Sequence, residues 1–327
     1  MKTLFLGVLC SLCGLRAEQP VRTLTTQAVP FANSIIPLFR HGYLVLFPPG
    51  GVNGTPVASV LYGFTAYDPG GHFAYQEILD VPGGSEPVVR DVDFDSDGNA
   101  AVGVSARGGA SGMIFGILLL DSGGRQTRYI DTGRYLPTHL AITPDGSIWT
   151  IGWQRDAVST VEGFARAERQ DYMIVRHFSA DGQRLSAYLP RSSFPPGLEP
   201  ASQGSGVYMG VTQDRVGILA FSGKTGGNTE WLELDWDGNV LERSRTDNLH
   251  LAGSWGAFTA DDHVYLQGPK WGQVYTLNHA SHTWNLFQQL GVGMLMGADS
   301  NNLVYRGESN TGPILLRWFN QPAAPNQ

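Results

Sequence analysis

The sequence predicts an all-β fold, a six-bladed β-propeller whose last blade is closed by an N-terminal strand. Three observations lead to it. A strand–turn–strand unit recurs in pairs at intervals of about 50 residues, the range of propeller blades. Glycine occupies 42 of the 327 positions, against a usual ~7%, and much of it falls at the turns. Charged residues make up 16% of the chain, against ~25% in an average domain. That suits sheets packed face to face and excludes a helical bundle, which needs Ala, Glu, Lys and Leu. Seven blades or a pair of β-sandwiches are the alternatives.

The units follow in chain order. The segment 90–104 turns at Asp97-Gly98, where the dipeptide supplies the positive φ of a tight turn. The segment 138–151 repeats it at Asp145-Gly146. Less clean copies run over 207–221 around Asp214, 255–267 around Asp261-Asp262 and 294–306 around Asn301-Asn302, and the weakest over 35–47 around His41-Gly42. All of these except 294–306 are followed by a second hairpin, so that two hairpins make a four-stranded blade. The second turns fall at Pro69-Gly70-Gly71, Ser122-Gly123-Gly124, Asp181-Gly182, Asp237-Gly238 and Ala280-Ser281. The sixth unit ends after a third strand, 314–320. The strand-like segment 21–27 is otherwise unassigned, and it supplies the missing outer strand. That closes the ring and removes an exposed edge.

Two of these turns carry a resemblance. Thr143-Pro-Asp-Gly-Ser-Ile-Trp149 and Asp95-Ser-Asp-Gly-Asn99 resemble the turn-and-strand signature of NHL-repeat and SMP-30/gluconolactonase-like propellers. The first is also similar to the T-P-D-G-x-x-W turn of streptogramin-lyase-like propellers, and 234–240 is a looser echo. The resemblance covers two hairpins and implies the ring architecture. It carries over no metal ligand or catalytic residue, and the fold hosts unrelated functions.

The first 17 residues read as a secretory signal peptide: a basic Met1-Lys2, a 12-residue apolar run Leu4–Leu15, and a small-residue cleavage point at Leu15-Arg16-Ala17. A retained anchor helix is the alternative, although the run is shorter than the ~20 residues a spanning helix needs. Residues 18–327 then form one propeller domain. Both cysteines, Cys10 and Cys13, leave with the leader, so the mature chain has no disulfide. This suits a secreted or periplasmic protein of a bacterial envelope. The net charge of −7 becomes −9 without Lys2 and Arg16 (−7 − 2). No basic footprint for nucleic acid remains, and no later stretch is long enough to cross a membrane. We expect a monomer.

Candidate chemistry is sparse. Asp93-Phe-Asp95-Ser-Asp97-Gly98 opens like a calcium loop, but position nine is Ala101 and position twelve Val104. A hairpin in which Asp97 bonds its own backbone is the plainer reading. Gly223-Lys224-Thr225 fails as a phosphate loop because Ile218 stands where its first glycine belongs. His279-Ala-Ser-His282 reads as a solvated hairpin tip. Asn53-Gly-Thr55 is a glycosylation sequon relevant only to a eukaryotic route. No G-x-S-x-G, H-E-x-x-H or S-x-x-K arrangement is present. No cofactor or metal is called for.

Repeat geometry gives a better lead. The first strand of each blade lines the central channel. Aligning the turns places Ile35, Asp91, His139, Tyr208, Trp255 and about Met294 at one level. One rim would then carry Asp91, His139, Tyr208 and Trp255 beside Arg90, a set able to bind a polar ligand or to do acid–base work. The competing reading is a ring of packing residues that plugs the channel. Two long segments, 154–171 (charged, with a stretch fit for a short helix) and 190–205 (Pro/Ser-rich), reach the same face, where long loops serve as lids or docking elements. The sequence therefore supports an exported binding or scaffold module for a small polar ligand or a protein partner at the channel mouth. The rival is a lactonase-, esterase- or lyase-type enzyme using His139 and Asp91.

Overall fold

The computed structural model describes residues 20–25, 36–47, 62–109, 112–154, 172–194, 198–199, 208–212, 214–222, 229–246, 256–259, 263–268, 273–289, 293–299, 302–307 and 315–320. The signal-peptide segment, the cysteines, Asn53, Gly223–Thr225, Trp255 and residues 155–171 lie outside them.

The described strands form six small antiparallel sheets. Blade I is β2 (Ile36–Arg40), β3 (Tyr43–Phe47), β4 (Gly63–Tyr67) and β5 (Phe73–Ile78). Blade II is β6 (Gly84–Phe94), β7 (Ala100–Gly108), β8 (Met113–Leu120) and β9 (Gln126–Asp131). Blade III is β10 (Tyr135–Ile142), β11 (Ile148–Gln154), β12 (Met173–Phe178) and β13 (Arg184–Pro190). Blade IV is built on β15 (Tyr208–Val211), β16 (Arg215–Ser222), β17 (Thr229–Asp235) and β18 (Val240–Thr246). Blade V is β19 (Gly256–Phe258), β20 (Val264–Gln267), β21 (Gln273–Asn278) and β22 (Thr283–Gln289). Blade VI is β23 (Met294–Asp299), β24 (Asn302–Arg306) and β25 (Leu315–Asn320), completed by β1 (Arg22–Thr25).

The closure expected from the sequence is present. β1 pairs antiparallel with β25, Arg22 opposite Trp318 and Thr25 opposite Leu315. The innermost strands complete the ring: β2 packs beside β6, β6 beside β10, β10 beside β15, β15 beside β19, β19 beside β23, and β23 beside β2. Blade IV departs from expectation. The Pro/Ser-rich crossing makes a 3-10 turn at Arg191–Ser193. It then adds a short strand, β14 (Leu198–Glu199), to the end of β16 beyond β15.

Burial follows position in the blade. All eight residues of β10 are buried, whereas β13 is largely exposed. An inner strand is covered on both faces by neighbouring blades, so its apolar pattern is nearly continuous and the core lies between sheets. Trp149, Trp231 and Trp318 are the largest fully buried side chains.

The turns have a shared chemistry that the sequence reading placed two residues too late. Asp97 does not brace its own turn. Asp95 does, with Oδ1 accepting from Asp97 N and Asn99 N, both at 2.9 Å, and Oδ2 from Asn99 Nδ2 at 2.8 Å. Asp68, Asp121 and Asp235 likewise accept the backbone N–H four residues on, and the hydroxyls of Ser179 and Thr259 do the same. A short polar side chain at the first turn residue thus completes each of these hairpins. Outer turns also bolt blades together. A Cβ on Gly182, whose φ is 86°, would stand 2.7 Å from Ile130 Cγ1 of the preceding blade.

Candidate functional site

The first strand of a blade alternates sides, and two bulges set which side chains turn into the channel. The β6–β7 register shifts between Val89 and Asp91, and the β10–β11 register between Pro137 and His139. Asp91 and His139 therefore follow equivalent irregularities, a common way to re-aim a side chain.

The structure brings them together. His139 Nδ1 lies 3.5 Å from Asp91 Oδ2. The same oxygen accepts the Leu140 N–H at 3.1 Å, and Oδ1 accepts the Val92 N–H at 3.0 Å. Burial pushes the Asp91 carboxyl up, but Arg40, His139 and the Leu140 N–H outweigh it and hold it below the usual carboxylate range.

Arg40 was missed by the sequence reading. Counting back from the turn glycine put Ile35 at this level in blade I. The His41-Gly42 turn is tighter than those of blades II and III: Arg40 pairs directly with Tyr43, whereas Phe94 pairs with Ala100 and Ile142 with Ile148, so the residue that reaches the ring is Arg40. Its signal was a lone charge ending the apolar strand Ile36-Pro-Leu-Phe-Arg40. The Arg40 Nη2 lies 3.9 Å from Asp91 Oδ1, and its guanidinium carbon 5.6 Å from the Tyr208 ring in blade IV. One side chain from blade I thus meets residues of blades II and IV. Burial lowers the Arg40 pKa, yet Asp91 and neighbouring groups more than restore it, so the guanidinium stays charged.

Tyr208 is buried, with its pKa raised to about 12 chiefly by desolvation. It therefore enters the site as a neutral phenol. Arg90 sits at the β6 bulge and turns to β7, donating from Nε and Nη2 to Ser105 Oγ at 3.0 and 2.6 Å. It borders the cluster. Trp255 lies outside the described residues.

A second row sits one step along the inner strands. Asp93 Oδ1 lies 3.1 Å from His41 Nδ1, and its Oδ2 accepts the Ile142 N–H at 2.7 Å. Asp93 raises the His41 pKa, against the lowering effect of burial. The carboxylates of the calcium-like motif are therefore divided. Asp93 faces His41 and Ile142, and Asp95 closes its turn. Among the described residues, no group of three or more His, Asp and Glu is placed to hold a metal ion. His279 and His282 are at the predicted hairpin, but they are not simply solvated. His282 Nδ1 meets Glu242 Oε1 at 2.7 Å, and His279 Nδ1 lies 3.7 Å from Glu233 Oε1, so they brace blade V against blade IV. No described helix is long and apolar enough to cross a membrane.

No family model matches the chain, and no curated protein matches it. Among solved structures it is similar to a chain of the nidogen/laminin complex, at 16% identity over 84% of this chain and 85% of that one, TM-score 0.44. It is similar to a virginiamycin B lyase from Staphylococcus aureus crystallised with quinupristin, at 10% identity over 90% and 99%, TM-score 0.46. It is also similar to a gluconolactonase from Xanthomonas campestris, at 13% identity over 92% and 88%, TM-score 0.44. These are likenesses of shape, and they assign this chain no activity.

Proposed function

We propose that this chain is an exported binding module that takes a small polar ligand in the central channel. One observation carries the reading. Arg40, Asp91, His139 and Tyr208 come from four successive blades and are assembled around one point, three of them in direct electrostatic or ring contact with Arg40 or Asp91. Such a convergent set of charged and aromatic groups inside an apolar ring is what a ligand site requires. Its interblade hydrogen bonds also serve the fold, so the site and the closure of the ring share residues.

The test is a thermal-shift panel of sugars, polyols, sugar acids and dicarboxylates on wild type and His139→Ala. A ligand that raises the melting temperature of wild type and loses that effect in His139→Ala supports the reading. Stabilisation that survives the substitution places the site elsewhere. Export is tested by N-terminal sequencing of protein recovered outside the cytoplasm, with a start at residue 18 expected.

The 3.5 Å approach of His139 to Asp91 favours one second reading, an acid–base enzyme in which the carboxylate orients the imidazole. Hydrolysis of lactones or aryl esters that is abolished in His139→Gln would support it. Background rates in wild type would reject it.

A further inference from the structure

We infer that the ligand of the channel carries a carboxylate, and that Arg40 docks it. This rests on the channel being the binding site. A guanidinium has five N–H donors in a planar fork, and a buried one normally places them on carboxylates or carbonyls. The Arg40 side chain is 11% exposed. Among the described residues only the Phe39 carbonyl accepts from it, from Nη1 at 3.2 Å. Its Nε is buried, and no described residue accepts from that atom.

Asp91 does not fill the fork. It stands 3.9 Å from Nη2, beyond hydrogen-bond reach. Its own oxygens are already occupied by Val92 N, Leu140 N and His139 Nδ1. Asp93 is occupied in the same way by His41 and Ile142 N. The Tyr208 ring forms an aromatic wall on another side. What remains is a buried, charged, planar donor whose partner must bring acceptor oxygens, and a carboxylate matches its two-pronged geometry.

The test follows the arginine Nε–Hε resonances of 15N-labelled protein, with Arg40 assigned through bonds to its backbone. Malonate is titrated at matched ionic strength, with glucose and glycerol as neutral comparators. A saturable shift of the Arg40 resonance by malonate is expected. Calorimetry should show malonate binding weakened about tenfold or more by Arg40→Lys, which keeps the charge and loses the fork. If glucose moves the resonance and malonate does not, the carboxylate assignment falls and the channel reading stands. If neither moves it, the carboxylate assignment falls, and the His139→Ala panel decides the channel reading on its own.

Discussion

The Asp93 carboxylate of blade II accepts the backbone N–H of Ile142 in blade III at 2.7 Å. Asp91 does the same for Leu140 at 3.1 Å, and Gln267 of blade V for Leu295 of blade VI at 2.8 Å. An innermost strand has no partner strand on its channel side, so its N–H groups there need other acceptors. Side chains of the preceding blade provide them. Polar residues in the channel are thus required by the backbone before any ligand is considered.

Asp93→Ala leaves the buried Ile142 N–H without that acceptor and should cost ~1–3 kcal/mol. Asp93→Asn keeps an accepting oxygen and should cost less. Urea unfolding with an unchanged m-value checks the order. Equal losses in the two variants would show that the hydrogen bond to Ile142 is unimportant.

His41 has its pKa raised by Asp93. A raised folded-state pKa means that the stabilisation is full below the unfolded value of ~6.5 and is lost as pH rises through the folded value. Asn tolerates the positive φ of 46° found at His41. The stability gap between wild type and His41→Asn should therefore be widest in mild acid and close on the alkaline side. A gap independent of pH would remove the ion pair from the account.

Gly182 and Gly133 both have positive φ, 86° and 65°. An alanine costs ~1–2 kcal/mol at either from backbone strain. At Gly133 a Cβ meets nothing within 4 Å, whereas at Gly182 it meets Ile130 of the neighbouring blade. Gly182→Ala should be the more destabilising in chemical denaturation. In a double-mutant cycle with Ile130→Ala it should show a favourable coupling.

β1 covers the edge of β25, and Leu24 also packs over Gly71 in the outer turn of blade I. Deleting residues 20–25 should expose that edge, lower the melting temperature and produce concentration-dependent association in light scattering. A monomeric variant of unchanged stability would contradict the role of this strand in closure.

Much of the fold was legible because its signals are local. Asp-Gly and Gly-Gly turns, period-two strands and a leftover N-terminal segment were enough to count six blades and to place the closing strand. The acceptor that opens each turn was equally visible, as Asp or Ser three residues before the glycine in Asp95–Gly98, Ser179–Gly182 and Asp235–Gly238. The alignment of turns put Asp91, His139 and Tyr208 at one level; in the structure Asp91 meets His139 and Arg40, and Arg40 meets the Tyr208 ring.

By itself, then, the sequence determined the architecture, since turn chemistry and alternation act between residues close in the chain. Only the tertiary structure decided which side chains meet in the channel. Arg40 enters because its turn is shorter than those of blades II and III, and Asp91 and His139 each follow a bulge. A shift of one residue turns a strand side chain to the opposite face. That shift is set by register between strands, which the pattern along a single strand does not record.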